Sequence, residues 1–305
     1  MAIARGHHEY LEAQLAALPH LPAVERLTPR VIRILGGNPS KYHLQGTNTY
    51  LLGTGRERLL IDTGQGIPIW IETLSEVLKQ ENAVVTQALL THWHLDHVTG
   101  SRDLRKVSPS TKYYKNSPDD GQEEIQDGQV FTVEGATVRA LHTPGHAFDH
   151  MCFLFKEEDA IFTGDNVLGH GTTVFSDLGA YMESLQRMLD QGMVGVAYPG
   201  HGAVIADAKR KISEYIRHRM RREEQIVKVM EEWKEDKKMR AVGGDLGLTA
   251  LDIVNVIYTS VGPELRLAAA KGAVQVLEKL EGEGKVKKED CGGQRKWFLA
   301  DRPSL

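Results

Sequence analysis

Between residues 31 and 165 the chain alternates short apolar runs with breaks at Gly, Pro or Asp. The runs are VIRILGG (31–37), TYLLGTG (49–55), RLLIDTG (58–64), VVTQALLTH (84–92), QVFTVEGATVRALHTPG (129–145) and MCFLFKEEDAIFTGD (151–165). Runs of this length, rich in β-branched residues and bounded by turn formers, predict strands and hairpins. The helical period returns in WIETLSEVLKQ (70–80) and AYMESLQRMLDQG (180–192), which predict helices between the strands. Strands flanked by helices indicate an α/β fold of stacked layers.

After Gly202 the pattern changes. Residues 209–238 predict a long charged helix, with Ile212, Ile216 and Met220 spaced by four. The Gly-containing joint AVGGDLG (241–247) leads to Thr249 and Asp252, which have the spacing of a helix N-cap with an acid at the third helical position. PELRLAAAKGAVQVLEKLEGEG predicts a third helix, and KVKKEDCGGQRKWFLAD a hairpin around Gly-Gly. Helices followed by a basic hairpin resemble a winged helix. The expected organisation is an N-terminal extension over 1–27, a main domain over 28–208 and a small winged-helix-like domain over 209–305. Within the extension, Leu11, Leu15 and Leu18 predict a short amphipathic helix.

Composition narrows the function classes. In 305 residues, 37 basic against 41 acidic side chains leave a net charge of −4, which gives no global field for nucleic acid or membrane. Only Cys152 and Cys291 are present, so neither a disulfide framework nor a cysteine-rich zinc site is available. The start of the chain has no continuous apolar segment and carries Glu9 and Glu12, unlike a secretion signal or a transit peptide. A cytoplasmic protein without a membrane span is the expectation.

The chemistry concentrates in THWHLDHVTG (91–100). On an extended segment His92 and His94 point the same way and can face one metal; Asp96 and His97, after a turn toward a helix, can face a second. By the same alternation Trp93 should point away and pack in the core. Four more candidates follow apolar runs and have Gly close by: Asp62 in LLIDTG, His146 in LHTPGH, Asp165 in AIFTGD and His201 in YPGHG. That is the pattern of strand ends converging on one cleft. His43, His142 and His218 read as ordinary surface or core histidines, and Tyr198 as a packing residue.

Taken in order, IDTG, THWHLDH, TPGH, TGD and PGHG resemble the motifs of the metallo-β-lactamase superfamily, covering approximately residues 28–205. The resemblance implies an αββα sandwich with a dinuclear site at one edge. His92, His94 and His146 would hold one metal, Asp96, His97 and His201 the other, and Asp165 would bridge them. Asp62 would orient a ligand from behind. A carboxylate between two divalent ions leaves a bridging position for water, whose acidity the ions raise to yield a hydroxide nucleophile, with Asp96 orienting it and passing its proton. Zinc suits imidazole and carboxylate best, with manganese or iron as alternatives. The chain departs from the family's true β-lactamases in lacking a cysteine at the second metal, and from many relatives in ending the cluster Val98-Thr99-Gly100 without a Gly-Gly pair. The second departure alters the turn but removes no ligand.

LQGTNTYLLGTG, RLLIDTGQGIP, TPGHAFDHMCF and GDNVLGHGTTVFSDL are similar to a subgroup that contains the β-lactamase-like endoribonucleases and the fungal polyketide thioesterases of the atrochrysone carboxyl ACP type. The thioesterase resemblance implies a stand-alone enzyme that releases a polyketide from the acyl carrier protein of a nonreducing polyketide synthase. It is preferred because the extension HEYLEAQLAALPHLP resembles theirs and lacks transit-peptide character. His170, five residues beyond Asp165, and Asn48 are candidates to line the substrate channel. Cleavage of single-stranded RNA is the alternative, and a noncatalytic binding protein on the same fold a third reading. The basic runs at Arg217, Arg219, Arg221 and Arg222 and at Lys285, Lys287, Lys288, Arg295 and Lys296 could meet RNA or an acidic carrier protein, but the first is followed by Glu223 and Glu224. No aromatic stacking surface accompanies them, which disfavours nucleic acid.

Overall fold

The structure, a computed structural model, describes residues 17–239, 247–259 and 262–300. The helix expected around Leu11 and Leu15 and most of the 241–247 joint lie outside the described residues. The chain divides into two compact units, one ending at Tyr215 and the other beginning at Ile216.

The first unit is built on two sheets. Strands β1 (Val24–Thr28), β2 (Val31–Leu35), β3 (Asn48–Leu52), β4 (Glu57–Ile61), β5 (Val84–Leu90), β6 (Lys112–Lys115) and β7 (Glu123–Glu124) lie side by side in chain order. The first four are antiparallel; from β4 to β7 the neighbours are parallel. Among the described residues the first strand starts at Val24, inside the stretch read as an extension. The second sheet has the order β12 (Ala197–Pro199), β11 (Ala160–Gly164), β10 (Met151–Phe155), β9 (Ala136–His142) and β8 (Val130–Val133), antiparallel except for the β11–β12 pair.

Two-residue periodicity explains how the layers stack. In β3, Tyr50 and Leu52 enter a core shared with Phe153, Phe162 and Tyr198 of the second sheet, while Leu51 between them turns to the opposite face. β4 repeats this, with Leu59 and Ile61 inward and Leu60 outward. The outward set meets Trp70, Leu74, Val77 and Leu78 of helix α1 (Pro68–Gln80). Proline at the start of α1 costs no hydrogen bond, because the first amides of a helix have no intrahelical partner. The short helices α2 (Leu95–Val98) and α3 (Ser101–Val107) follow β5, and Leu104 of α3 joins the outer core. On the second sheet, helix α4 (Leu178–Leu189) buries Tyr181, Leu185 and Met188. Both strand faces are covered, and the expected αββα sandwich is observed.

Helix α5 (Ala208–Met239) carries the chain into the second unit. There, Thr249 and Asp252 form the expected reciprocal cap on α6 (Ala250–Ile257). Helix α7 (Pro263–Gly282) and the hairpin β13 (Val286–Cys291) and β14 (Gln294–Leu299) complete it. Ile253, Val254, Leu277, Leu280 and Trp297 are among its buried side chains. Among the described residues no helix is long and apolar enough to cross a membrane.

Candidate metal centre

Strand ends assemble the site. Asp62 follows β4 directly, His92 and His94 follow β5, Asp96 and His97 lie in α2, His146 sits in the β9–β10 connection, Asp165 follows β11 and His201 follows β12. Close approach dictates two glycines. A Cβ at Gly164, whose φ is +47°, would stand 2.6 Å from His150 Nε2, and one at Gly200 would stand 2.4 Å from Asp165 Oδ1.

Two groups of donors result. His92, His94, His146 and Asp165 form one, and Asp96, His97 and His201 the other, with the ligand atoms within each group lying within 4.8 Å of one another. His94 Nδ1 is 2.9 Å from His92 Nε2 and 3.0 Å from His146 Nε2. In the second group Asp96 Oδ2 lies 3.2 Å from His97 Nε2 and 3.3 Å from His201 Nε2. Asp165 is shared: Oδ2 is 3.6 Å from His146 Nε2 and 3.3 Å from His201 Nε2, and Oδ1 is 3.4 Å from His97 Nε2.

The outer hydrogen bonds fix what these atoms present. His146 Nδ1 is 2.8 Å from the carbonyl of Val174, which only accepts, so that nitrogen carries the proton and Nε2 shows a lone pair. Thr91 Oγ1 gives its proton to Asp62, so it accepts from His92 Nδ1 at 2.9 Å, and His92 Nε2 is likewise a lone pair. His97 Nδ1 meets Asp62 Oδ2 at 2.7 Å. Two lone pairs therefore converge on His94 Nδ1, which has one proton at most. His97 Nε2 and Asp165 Oδ1 are buried without a hydrogen-bond partner among the described residues. A cation in each group would satisfy these atoms, so the donor set fits metal.

The burial and mutual proximity of these groups shift their protonation. Burial and then the neighbouring His97 keep His92 neutral well below the usual range, and burial with His146 pushes His94 down to about 4. Burial opposes charge on His201 too, but Asp165 and Asp96 outweigh it and raise it to about 9. His97 is raised in the same way by Asp165, Asp62 and Asp96 against burial. The carboxyls of Asp165 and Asp96 are held below the ordinary range: burial resists, and the imidazoles of His201 and His97 prevail.

All seven expected ligands and Asp62 thus meet in one place, and His170 lines the adjoining cavity of about 380 Å³ with Tyr42, His43, Leu168 and Val174. Three expectations are corrected. Trp93 does not pack in the core; β5 ends at Leu90, alternation stops there, and the indole is 48 % exposed with its ring 4.6 Å from that of His94. Asn48 is 1 % exposed and does not line the cavity; its Nδ2 donates to the carbonyls of Pro199 and Gly202 and so clamps the loop that bears His201. His43 is no bystander, since its ring stacks on His201 at 5.4 Å and its Nε2 is 3.6 Å from Asp96 Oδ2. His142 is half-buried and His218 exposed, and neither belongs to the donor groups. Tyr198 packs in the sandwich core as expected, its hydroxyl donating to Glu158.

Sequence reasoning also passed over His150 and Thr47. Buried His150 accepts from Asp165 N at 3.1 Å, and Thr47 Oγ1 donates to Asp96 Oδ2 at 3.0 Å. Neither residue stands in a ligand-like spacing. The one available signal was their adjacency to the motifs, in HAFDH and LQGTN.

Residues 44–201 match the family model described as the metallo-beta-lactamase superfamily. The chain belongs to that superfamily. Residues 249–297 match the beta-lactamase associated winged helix domain, in agreement with the resemblance of the C-terminal helices and hairpin to a winged helix. An atrochrysone carboxyl ACP thioesterase of Aspergillus chevalieri is 51 % identical over 294 residues, 95 % of this chain and 94 % of that protein. A lactamase-like protein of Emericella nidulans is 49 % identical over 298 residues, 97 % of this chain and 95 % of its own length. A β-lactamase domain protein from Burkholderia ambifaria superposes with a TM-score of 0.73 at 17 % identity, covering 92 % of this chain and 95 % of that one. A metallo-β-lactamase family protein from Thermus thermophilus gives 0.64 at 23 %, covering 90 % and 100 %. At that identity the two structures speak to the fold, and they share the metallo-β-lactamase sandwich seen here.

Proposed function

We propose that this superfamily member is a dinuclear metal-dependent hydrolase of acyl thioesters, which frees a polyketide acyl group from an acyl carrier protein. The observation that carries the substrate is the 51 % identity over 95 % of the chain to a protein named as a carrier-protein thioesterase, supported by a second of that name from Passalora fulva at 48 % over 300 residues. His92, His94 and His146 would hold one metal, Asp96, His97 and His201 the other, with Asp165 between them; imidazole and carboxylate donors suit zinc. When bound, the metals supply a water acidified toward neutral pH and a Lewis acid for the carbonyl oxygen.

The chain's own residues account for the rest. Asp96 reaches the cavity and is placed to take a proton from the attacking water and return it to sulfur as the C–S bond breaks, leaving an acid and a thiol. Asp62 keeps the His97 ring in place from behind. Leu168, Val174 and Tyr42 give the cavity an apolar wall suited to an acyl chain, with His170 at its edge.

RNA fits the observations less well. In the hairpin, Lys285 pairs with Glu283 and Glu223, Lys287 with Glu289, Lys288 with Glu281 and Arg295 with Asp290, so its basic residues carry little uncompensated charge for phosphates. The purified protein is expected to hydrolyse acyl-pantetheine thioesters, and Asp96→Ala or His97→Ala to abolish this. Cleavage of single-stranded RNA with no thioester hydrolysis would overturn the proposal.

A further inference from the structure

Behind Asp96 runs a chain of hydrogen bonds whose directions are forced. The backbone N–H of Thr47 donates to Asn38 Oδ1 at 2.9 Å, which fixes the orientation of the Asn38 amide. Its Nδ2 then donates to Thr47 Oγ1 at 3.0 Å and to Gln65 Oε1 at 3.1 Å. An amide nitrogen only donates, so Thr47 Oγ1 is an acceptor in that contact and its single proton remains for Asp96 Oδ2, 3.0 Å away. Thr47 is fully buried and Asn38 nearly so, and no bulk water competes. A Cβ at Gly36 would press to 2.7 Å on Asn38 Oδ1, so the Gly-Gly turn after β2 keeps room for this amide.

Asp96 Oδ2 is also the atom that faces His97 Nε2 and His201 Nε2. The terminal torsion of an aspartate is broad and soft, so a carboxylate without an anchor samples many rotations. In the observed rotation Oδ2 also lies 3.6 Å from His43 Nε2, a competing imidazole on the outer side. With one lone pair of Oδ2 taken by the Thr47 hydroxyl, the other is left for the gap between the two imidazoles. Thr47 is further tied by a backbone bridge to His201, so one residue governs the placing of two of the three donors.

We propose that Asn38 and Thr47 form a relay that sets the rotation of the Asp96 carboxylate, making Thr47 the positioning residue for the metal held by Asp96, His97 and His201. This rests on the two-metal reading above. The test is stepwise removal of zinc from the holoenzyme with a chelator, in wild type, Thr47→Val and Thr47→Ser, with visible spectra of the cobalt-loaded forms alongside. Thr47→Val keeps the shape and loses the proton. It is expected to weaken one of the two metals by ~10–100-fold, the range for residues that orient ligands, while the other is unchanged. Its cobalt bands shift, and kcat falls with KM little altered. Thr47→Ser, which keeps the hydroxyl, restores all three. Should valine not be accommodated, Thr47→Ala reads the same quantities. Wild-type metal release and spectra in Thr47→Val, or a serine variant as impaired as the valine one, would overturn the relay. A wild type that holds fewer than two metals would instead overturn the two-metal reading on which it stands.

Discussion

Asp62 Oδ2 lies 2.7 Å from His97 Nδ1, and its Oδ1 accepts from Thr91 N at 2.8 Å, so one buried carboxylate joins the end of β4 to the segment leaving β5. Asp62 adopts a φ of +58°, a conformation that asparagine tolerates. Asp62→Asn therefore keeps the backbone but puts an NH2, which cannot accept, in place of one of the two oxygens that His97 and Thr91 donate to. Metal affinity is expected to fall by ~10–100-fold, read by chelator competition, with the fold intact. Asp62→Ala should in addition lower stability by ~1–3 kcal/mol, because it strands the Thr91 donors.

Metal binding should be coupled to proton release. Asp165 and Asp96 outweigh burial and push His201 up to about 9, and His97 is raised as well. At neutral pH both carry a proton that ligation must displace, whereas His92 and His94 are already neutral. Affinity is therefore expected to rise with pH, up to about pH 9 for the His201 proton, as the competing protons leave. Calorimetry in buffers of different ionisation heat measures the protons directly. Affinity independent of pH would contradict the assignment.

Gly100 has an ordinary helical φ of −66°, yet a Cβ there would lie 1.8 Å from the Thr63 carbonyl and 2.7 Å from the Trp70 ring. The constraint is space, not conformation. Gly100→Ala is expected to cost about 3 kcal/mol, at the upper end for overpacking. Thermal unfolding should fall by roughly 6–12 °C. An unchanged melting temperature would mean that the α2–α3 turn yields more easily than its contacts suggest.

Tyr42 and Val174 line the cavity and are 70 % and 68 % exposed. Truncation of either to Ala should leave stability within ~0.5 kcal/mol, as for surface positions without special contacts. If they receive the acyl chain, KM for long-chain thioesters rises while kcat is nearly kept. Equal KM values for short and long chains would show that the apolar wall does not touch the substrate.

Strands β2 to β5, β10 and β11 were legible because their apolar runs are continuous, and β8 and β9 because theirs alternate; all lie where VIRIL, TYLL, RLLI and their successors predict them. The unread strands lack such runs. β1 (VERLT) is exposed or half-buried throughout, β6 (KYYK) is flanked by lysines, and β7 is two residues long. At the site, the seven candidate donors were legible because four of them crowd into residues 92–97 and the other three follow apolar runs with Gly close by. Trp93 was misread by carrying strand alternation past Leu90, where the strand had already ended. His43, Thr47 and Asn38 escaped notice because their roles come from loop segments brought against Asp96 across about 50 residues of chain, and no local periodicity records that.

The most direct test of the account is thioester hydrolysis by the same preparation before metal removal, after it and after zinc is restored, with the metal counted at each stage by elemental analysis. The account expects two metals per chain at the start, loss of acyl-pantetheine hydrolysis on removal, and its return as the second equivalent of zinc binds. Undiminished hydrolysis by the metal-free chain, or less than one metal bound per active chain, would contradict it.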